Sequence, residues 1–299
     1  MSFKNAIKLV FSKFNMVWIK LALMLLATIV IASLCVDPVL DLYNWLGSVG
    51  FTEKTYSVWT AFTTTGNIAT LFSSVLALLE DFLDFYISSP DILWQFTLKF
   101  GFLVLILYKF LLTSFEIATT KQIYGIMSDN STPGFWVSYI SQFGTSVLYS
   151  LVKTVTFFIY DAVTFVILYF STLALTGYPF FMPVVASLII ILFLSLRSSF
   201  FYAWTAFMVV EKRNLFVALG KSIIAFFKNF SKVFSAFLIA WICIISLCIF
   251  VGTFTFGVAL IMAVPASSVF LSFLNMTLFY SSNGMRYYMD DKIFDINYI

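Results

Sequence analysis

Apolar residues run along this chain in six long blocks, 17–36, 92–115, 152–175, 181–209, 233–251 and 256–280, parted by short stretches rich in charge, glycine or proline. Each block reaches or approaches the roughly 20 residues that a helix needs to cross a hydrocarbon core about 30 Å thick. The pattern predicts an all-α, polytopic membrane protein with about six transmembrane helices in a single integral membrane domain over 1–299. Between the first two blocks the periodicity changes. Ile68, Leu71, Phe72, Val75, Leu76, Leu79, Phe82, Leu83 and Tyr86 recur at helical spacing, and Thr70, Ser73, Ser74, Glu80, Asp81 and Asp84 take the opposite face. This spacing predicts an amphipathic helix over 67–87, outside the bilayer.

Shorter amphipathic segments precede the odd-numbered spans. Phe3, Ile7, Val10, Phe11 and Phe14 form one stripe with Lys8 and Lys13 off it, and Leu219, Ile223, Phe226, Phe227 and Phe230 form another opposite Lys221, Lys228 and Lys232. Trp136, Ile140, Phe143 and Val147 make a third, weaker case. Such segments read either as interfacial helices on anionic lipid or as extensions of the spans that follow. In constant register, Lys8, Phe14, Leu25, Ala27, Ile29, Ile31, Ser33, Leu34 and Cys35 match Lys221, Phe227, Leu238, Ala240, Ile242, Ile244, Ser246, Leu247 and Cys248. The match suggests internal repeats of amphipathic helix, span, outer turn and span.

Composition excludes an ordinary soluble domain: 62% of residues are hydrophobic and 10% charged, against about 45–50% and 25% in soluble proteins. A net charge of +3 is too small and too scattered for a nucleic-acid binder. The chain has no histidine, which removes imidazole as base, ligand or pH switch. Cys35, Cys243 and Cys248 lie in apolar runs and read as small hydrophobes. No phosphate-binding loop, nucleophile elbow or paired-cysteine motif is present, so neither an enzyme nor a cofactor is expected. The expected surroundings are the lipid bilayer, with a membrane protein partner or a homo-oligomer as further options.

Most basic residues fall beside segments that become cytoplasmic when the N-terminus is placed inside; Lys99, Lys109 and Arg197 lie within spans and Lys54 outside. Asp37, Asp41, Glu53, Glu80, Asp81, Asp84 and Asp91 then all lie in the first outer loop. The expected location is the cell membrane, as in a bacterial inner membrane, with both termini cytoplasmic. The acidic face Glu80, Asp81 and Asp84 reads as a cation-concentrating mouth or as a solvated surface.

Charges within spans are functional candidates. Counting the helical rise from a turn at 177–179 sets Asp161 and Arg197 within roughly 3 Å of one depth, and Lys109 falls in the same layer. Lys109, Asp161 and Arg197 are therefore a candidate intramembrane polar network, unless the basic members snorkel to the inner interface. Glu116 and Lys153 are expected at that interface.

Two resemblances sharpen the functional expectation. Ala61, Phe62, Thr63, Thr64, Thr65, Gly66 and Asn67, followed after Pro90 by a span, resemble one pore loop of Trk/Ktr-type potassium transporters, in which backbone carbonyls replace an ion's hydration shell. That resemblance implies cation conduction; those transporters use four such loops, so one loop per chain implies an oligomeric pore. Over a larger part of the chain, Arg197, Phe201, Val209, Val210 and Glu211, then Ala218, Leu219, Gly220, Lys221, Ser222 and Asn229, and Tyr287 with Tyr288, look like bacterial six-span proteins. These include the membrane domain of some glycerophosphodiester phosphodiesterases and the YciC-like family. This second resemblance implies architecture and membrane residence without the phosphodiesterase activity, whose catalytic domain is absent. The leading expectation is a non-enzymatic membrane or lipid-associated accessory subunit, or a permease, with potassium-like conduction as the alternative.

Overall fold

The computed structural model describes residues 2–66, 90–128, 134–175 and 181–287, with further positions between 74 and 88. The described residues form helices joined by short connections: α1 (Ser2–Ser12), α2 (Asn15–Ser48), α3 (Phe51–Thr65), α4 (Pro90–Gly101), a π-helical segment (Phe102–Leu107), α5 (Tyr108–Ser114), α6 (Glu116–Ser128), α7 (Phe135–Ser141), α8 (Phe143–Ala174), α9 (Met182–Phe200), α10 (Trp204–Val209), α11 (Leu215–Lys228), α12 (Phe230–Phe254) and α13 (Leu260–Ser282). Six stretches are long and apolar enough to cross a membrane: Asn15–Ser48, Trp94–Ser128, Phe143–Ala174, Val184–Val209, Phe230–Phe254 and Leu260–Ser282. The chain is an all-α, multi-pass integral membrane protein.

The first span departs from the pattern in its sequence. Asp37 and Pro38 read as a stop, because proline cannot donate to the preceding turn and disfavours helix before it. Yet α2 continues through Pro38 to Ser48. A helix loses only one backbone hydrogen bond at an internal proline, and the polar residues beyond it (Asp41, Asn44) stay helical. Of the helix expected over 67–87, residues 67–73 and most of 83–87 lie outside the described positions; Ser74, Val75, Ala77, Leu78, Glu80, Asp81, Phe82 and Asp84 are helical. The turn at 177–179 also lies outside the described residues.

The chain gathers into two compact units, Met1–Leu26 with Phe110–Ile299, and Ala27–Lys109. In the smaller unit, α3 starts after Gly50 and ends at Gly66, both in the left-handed conformation that glycine adopts without strain. Lys54 pairs with Asp81 at 2.7 Å.

In the larger unit the core sits at one end of the bundle. Trp204, Tyr149, Tyr202, Phe226, Phe237, Phe273, Phe279, Leu9, Ile117, Ile123 and Met127 are fully buried there. Helix α1 packs on α13, α9 on α12, α10 on α11 and α6, and α12 on α13. Toward the other end, Phe158, Phe165, Phe170, Leu188, Leu192, Leu247, Phe250 and Phe254 are exposed. Lipid is the medium that accepts such a surface.

Beside the buried aromatics, helix contacts also use small and hydroxyl residues. Ser146, Ser150 and Thr154 are buried at four-residue spacing on α8, and Ser195 and Ser199 on α9. Close approach of helices in a membrane favours such residues, since lipid solvates large apolar side chains as well as protein does. Helix α1 follows the same rule. It buries Asn5, Ala6, Leu9 and Val10, whereas Ile7, Phe11 and Phe14, from the stripe read in the sequence, are exposed.

Candidate functional site

Helix α8 carries Tyr149, Lys153, Phe157 and Asp161 at four-residue intervals, which places them on one face. That face borders a cavity of about 680 Å³ within the larger unit, inside the range of roughly 300–1,000 Å³ typical of small-molecule sites. Its polar floor includes Glu116, Lys153, Arg197, Ser198, Thr205, Ser267, Ser268, Ser272 and Asn275, and its apolar wall includes Trp241, Ile244, Ile245, Cys248, Ile249 and Val264. Ile249 and Val264 are at the same time exposed on the bundle surface. The apolar end of the cavity thus opens onto the lipid-facing side.

Two ion pairs hold the floor. Lys153 donates to Glu116 Oε2, and Tyr149 Oη donates to the same oxygen at 2.8 Å. Glu116 begins α6 after the break at Phe115, so its carboxylate also meets the positive end of a helix. Lys20, 8% exposed on α2, adds its charge to the same carboxylate. Across the hairpin, Arg197 Nη1 donates to Asp161 Oδ1. The Phe157 ring lies between the two cations, its centroid 4.9 Å from Lys153 Nζ and 4.9 Å from Arg197 Cζ. Cations over an aromatic face are stabilised by the ring quadrupole, more strongly where water is scarce. Trp241 Nε1 donates to Ser198 Oγ at 2.9 Å, fixing the wall to the floor.

Of the candidates read from sequence, Asp161 and Arg197 are paired, whereas Lys109 belongs to the smaller unit. Glu116 and Lys153, expected at the interface, are partly buried members of the floor. Thr63, Thr64 and Thr65 form the last turn of α3, with Thr63 and Thr64 hydroxyls donating to Thr60 O at 2.9 Å. They make a helix end capped by Gly66 rather than an extended run of carbonyls; Asn67 lies outside the described residues. Glu80 and Asp84 are exposed, and Asp81 faces Lys54. The sequence reading missed Lys20, Tyr149 and the polar face of α13. Ser267, Ser268, Ser272 and Asn275 cluster on that span at helical spacing, and this was the available signal.

Several of the residues quoted for the six-span resemblance meet at the end of the fourth span and just beyond it. Glu211 Oε2 accepts from Lys221 Nζ at 2.6 Å and from Arg213 Nε at 3.4 Å. Ser222 Oγ donates to Phe200 O at 3.0 Å and accepts from Ala203 N–H at 3.3 Å, closing the break between α9 and α10. Asn5 Nδ2 donates to Tyr287 Oη. The hydrogen bond from Lys221, aided by Arg213, holds the Glu211 carboxyl below its ordinary range. A lowered carboxyl pKa gives stabilisation that is complete above the unfolded value, about 4.3, and lost as pH falls through the folded one. Glu211→Gln is therefore expected to lower the thermal midpoint slightly at pH 7 and to lower it less near pH 3, in detergent melts at both pH values. An equal loss at both would rule out the ion pair as the cause.

Comparison of the chain with protein-family models, with curated proteins and with solved structures finds no match. The class of the molecule, a multi-pass helical membrane protein, therefore rests on its own six spans.

Proposed function

We propose that this is a non-enzymatic protein of the cell membrane that takes an amphipathic solute from the bilayer, as a lipid-associated accessory subunit or a permease. The carrying observation is a cavity with an ion-paired floor and an apolar wall that opens toward lipid. Polar groups buried in a membrane bundle are costly and mark solute sites, and an apolar entrance selects solutes that reach it from the lipid side. In this reading both termini face the cytoplasm, and α1, α7 and α11 rest at the inner interface. There the exposed Phe11, Ile140 and Phe227 enter the headgroup layer beside lysines. The similarity to six-span bacterial membrane domains agrees with this arrangement.

Protein extracted in a mild detergent and weighed intact by native mass spectrometry is expected to carry a bound amphiphile, and a bare protein mass from native membrane would overturn the reading. Proteoliposomes are expected to take up rubidium no faster than empty liposomes. Uptake above that level, lost on Thr64→Ala, would favour potassium-like conduction instead.

A further inference from the structure

Resting on that reading, we infer that the cavity binds an anionic phospholipid whose headgroup also carries hydroxyl groups, of the phosphatidylglycerol type. The charge on the floor is unbalanced. Two cations line the cavity, Lys153 and Arg197, against one carboxylate, Glu116. Behind the lining, Asp161 pairs with Arg197 and Lys20 acts on Glu116, and these two charges cancel, so one surplus positive charge is left among the five. A monoanionic phosphodiester neutralises it; a zwitterionic headgroup brings a second cation into a floor already rich in them. The hydrogen-bonding capacity of Arg197 points the same way. Only Nη1 is engaged, by Asp161, and its other N–H groups have no protein partner among the described residues. A guanidinium presents donors in a planar fork suited to phosphate oxygens.

The residues that α13 contributes to the floor offer acceptors. Ser267 and Ser272 donate their hydroxyl protons to carbonyls of their own helix, at 2.8 and 3.0 Å, leaving oxygen lone pairs toward the cavity. Asn275 lines the same floor, and its Oδ1 is buried with no hydrogen-bond partner among the described residues. A buried acceptor left unpaired costs free energy until a donor reaches it. Donors from Arg197 together with acceptors from α13 fit a phosphate joined to an alcohol. The acyl chains then follow Ile244, Ile245 and Ile249 out to the bilayer.

Chain-matched phosphatidylglycerol, phosphatidic acid and phosphatidylcholine, titrated into the delipidated full-length protein in neutral detergent and counted by native mass spectrometry, test this. Phosphatidylglycerol is expected to bind at least about tenfold more tightly than phosphatidylcholine, a difference of roughly 1.4 kcal/mol, with phosphatidic acid between them. Asn275→Leu is expected to remove most of the advantage over phosphatidic acid. Asn275→Asp, which keeps the size and adds a negative charge, should weaken both anionic lipids and spare phosphatidylcholine; it serves if the leucine variant does not fold. Equal binding of phosphatidylglycerol and phosphatidylcholine overturns the headgroup assignment while the amphiphile reading stands. Binding of no lipid overturns both. Displacement of phosphatidylglycerol by millimolar glycerol 3-phosphate would assign the site to a soluble phosphate ester and overturn the lipid source.

Discussion

Glu116→Leu is expected to destabilise the protein by roughly 3 kcal/mol, the lower end of the cost of removing one partner from a buried ion pair, because the Glu116 side chain keeps 30% of its surface exposed. The carboxylate accepts from Lys153 and Tyr149 and balances Lys20. Without it two ammonium groups face each other inside the bundle, and a single charge at that depth costs about 2.5–3.5 kcal/mol. Lys153→Met should cost less, because Lys20 then remains as the counter-charge for Glu116. The double variant Glu116→Leu with Lys153→Met should recover much of the loss, since a pair replaced by apolar groups of similar volume is close to neutral. Thermal unfolding in detergent, followed by tryptophan fluorescence, measures all three. Additive losses in the double variant would show that the two residues do not act as a pair.

Trp204→Ala is expected to match or exceed that effect, at roughly 3–5 kcal/mol for a large aromatic removed from a close-packed core. Trp204 is 0% exposed, its ring centroid is 4.9 Å from that of Tyr149, and its Nε1 donates to Leu215 O at 3.0 Å. It therefore holds α10 to both α8 and α11. Trp204→Phe keeps most of the ring and loses the hydrogen bond, which should cost about 1–2 kcal/mol. Limited proteolysis gives an independent readout: in the alanine variant, cleavage within 210–214, the connection between α10 and α11, should become faster. Unchanged cleavage and an unchanged midpoint would mean that the packed end of the bundle does not depend on this residue.

The spans were legible because a bilayer imposes a length and an apolar composition that few other environments demand. Asp161 and Arg197 could be set at one depth because the helical rise is constant. The packed faces were not legible by the rules used for soluble helices. The stripes read in α1 and α11 are split: Val10 and Phe226 are buried, whereas Ile7, Phe11, Phe14, Phe227 and Phe230 are exposed, and the small or polar Asn5, Ala6, Ala218 and Ser222 are buried instead. Lipid removes the penalty for exposing phenylalanine, so close approach decides which face packs, and small residues approach closest. The same reasoning explains why Glu116 and Lys153 read as interfacial residues. Nothing local distinguishes a lysine that reaches water from one that meets a carboxylate on another helix.

The contact of α1 with α13 bears on the order of assembly. Ser2 Oγ donates to Ser281 Oγ at 3.1 Å, Thr277 Oγ1 donates to Ser2 O at 3.3 Å, and Asn5 meets Tyr287. Helix α1 thus finds its packing partner in a span that is made 275–282 residues after it. At about 5–20 residues per second, the interval between them is on the order of tens of seconds. For that time α1 lacks the main surface it packs on, and the nascent chain must hold it on the membrane or on a chaperone until α13 inserts. Completion of the sixth span closes the bundle, and a chain stopped before it would leave the ribosome inserted but unpacked.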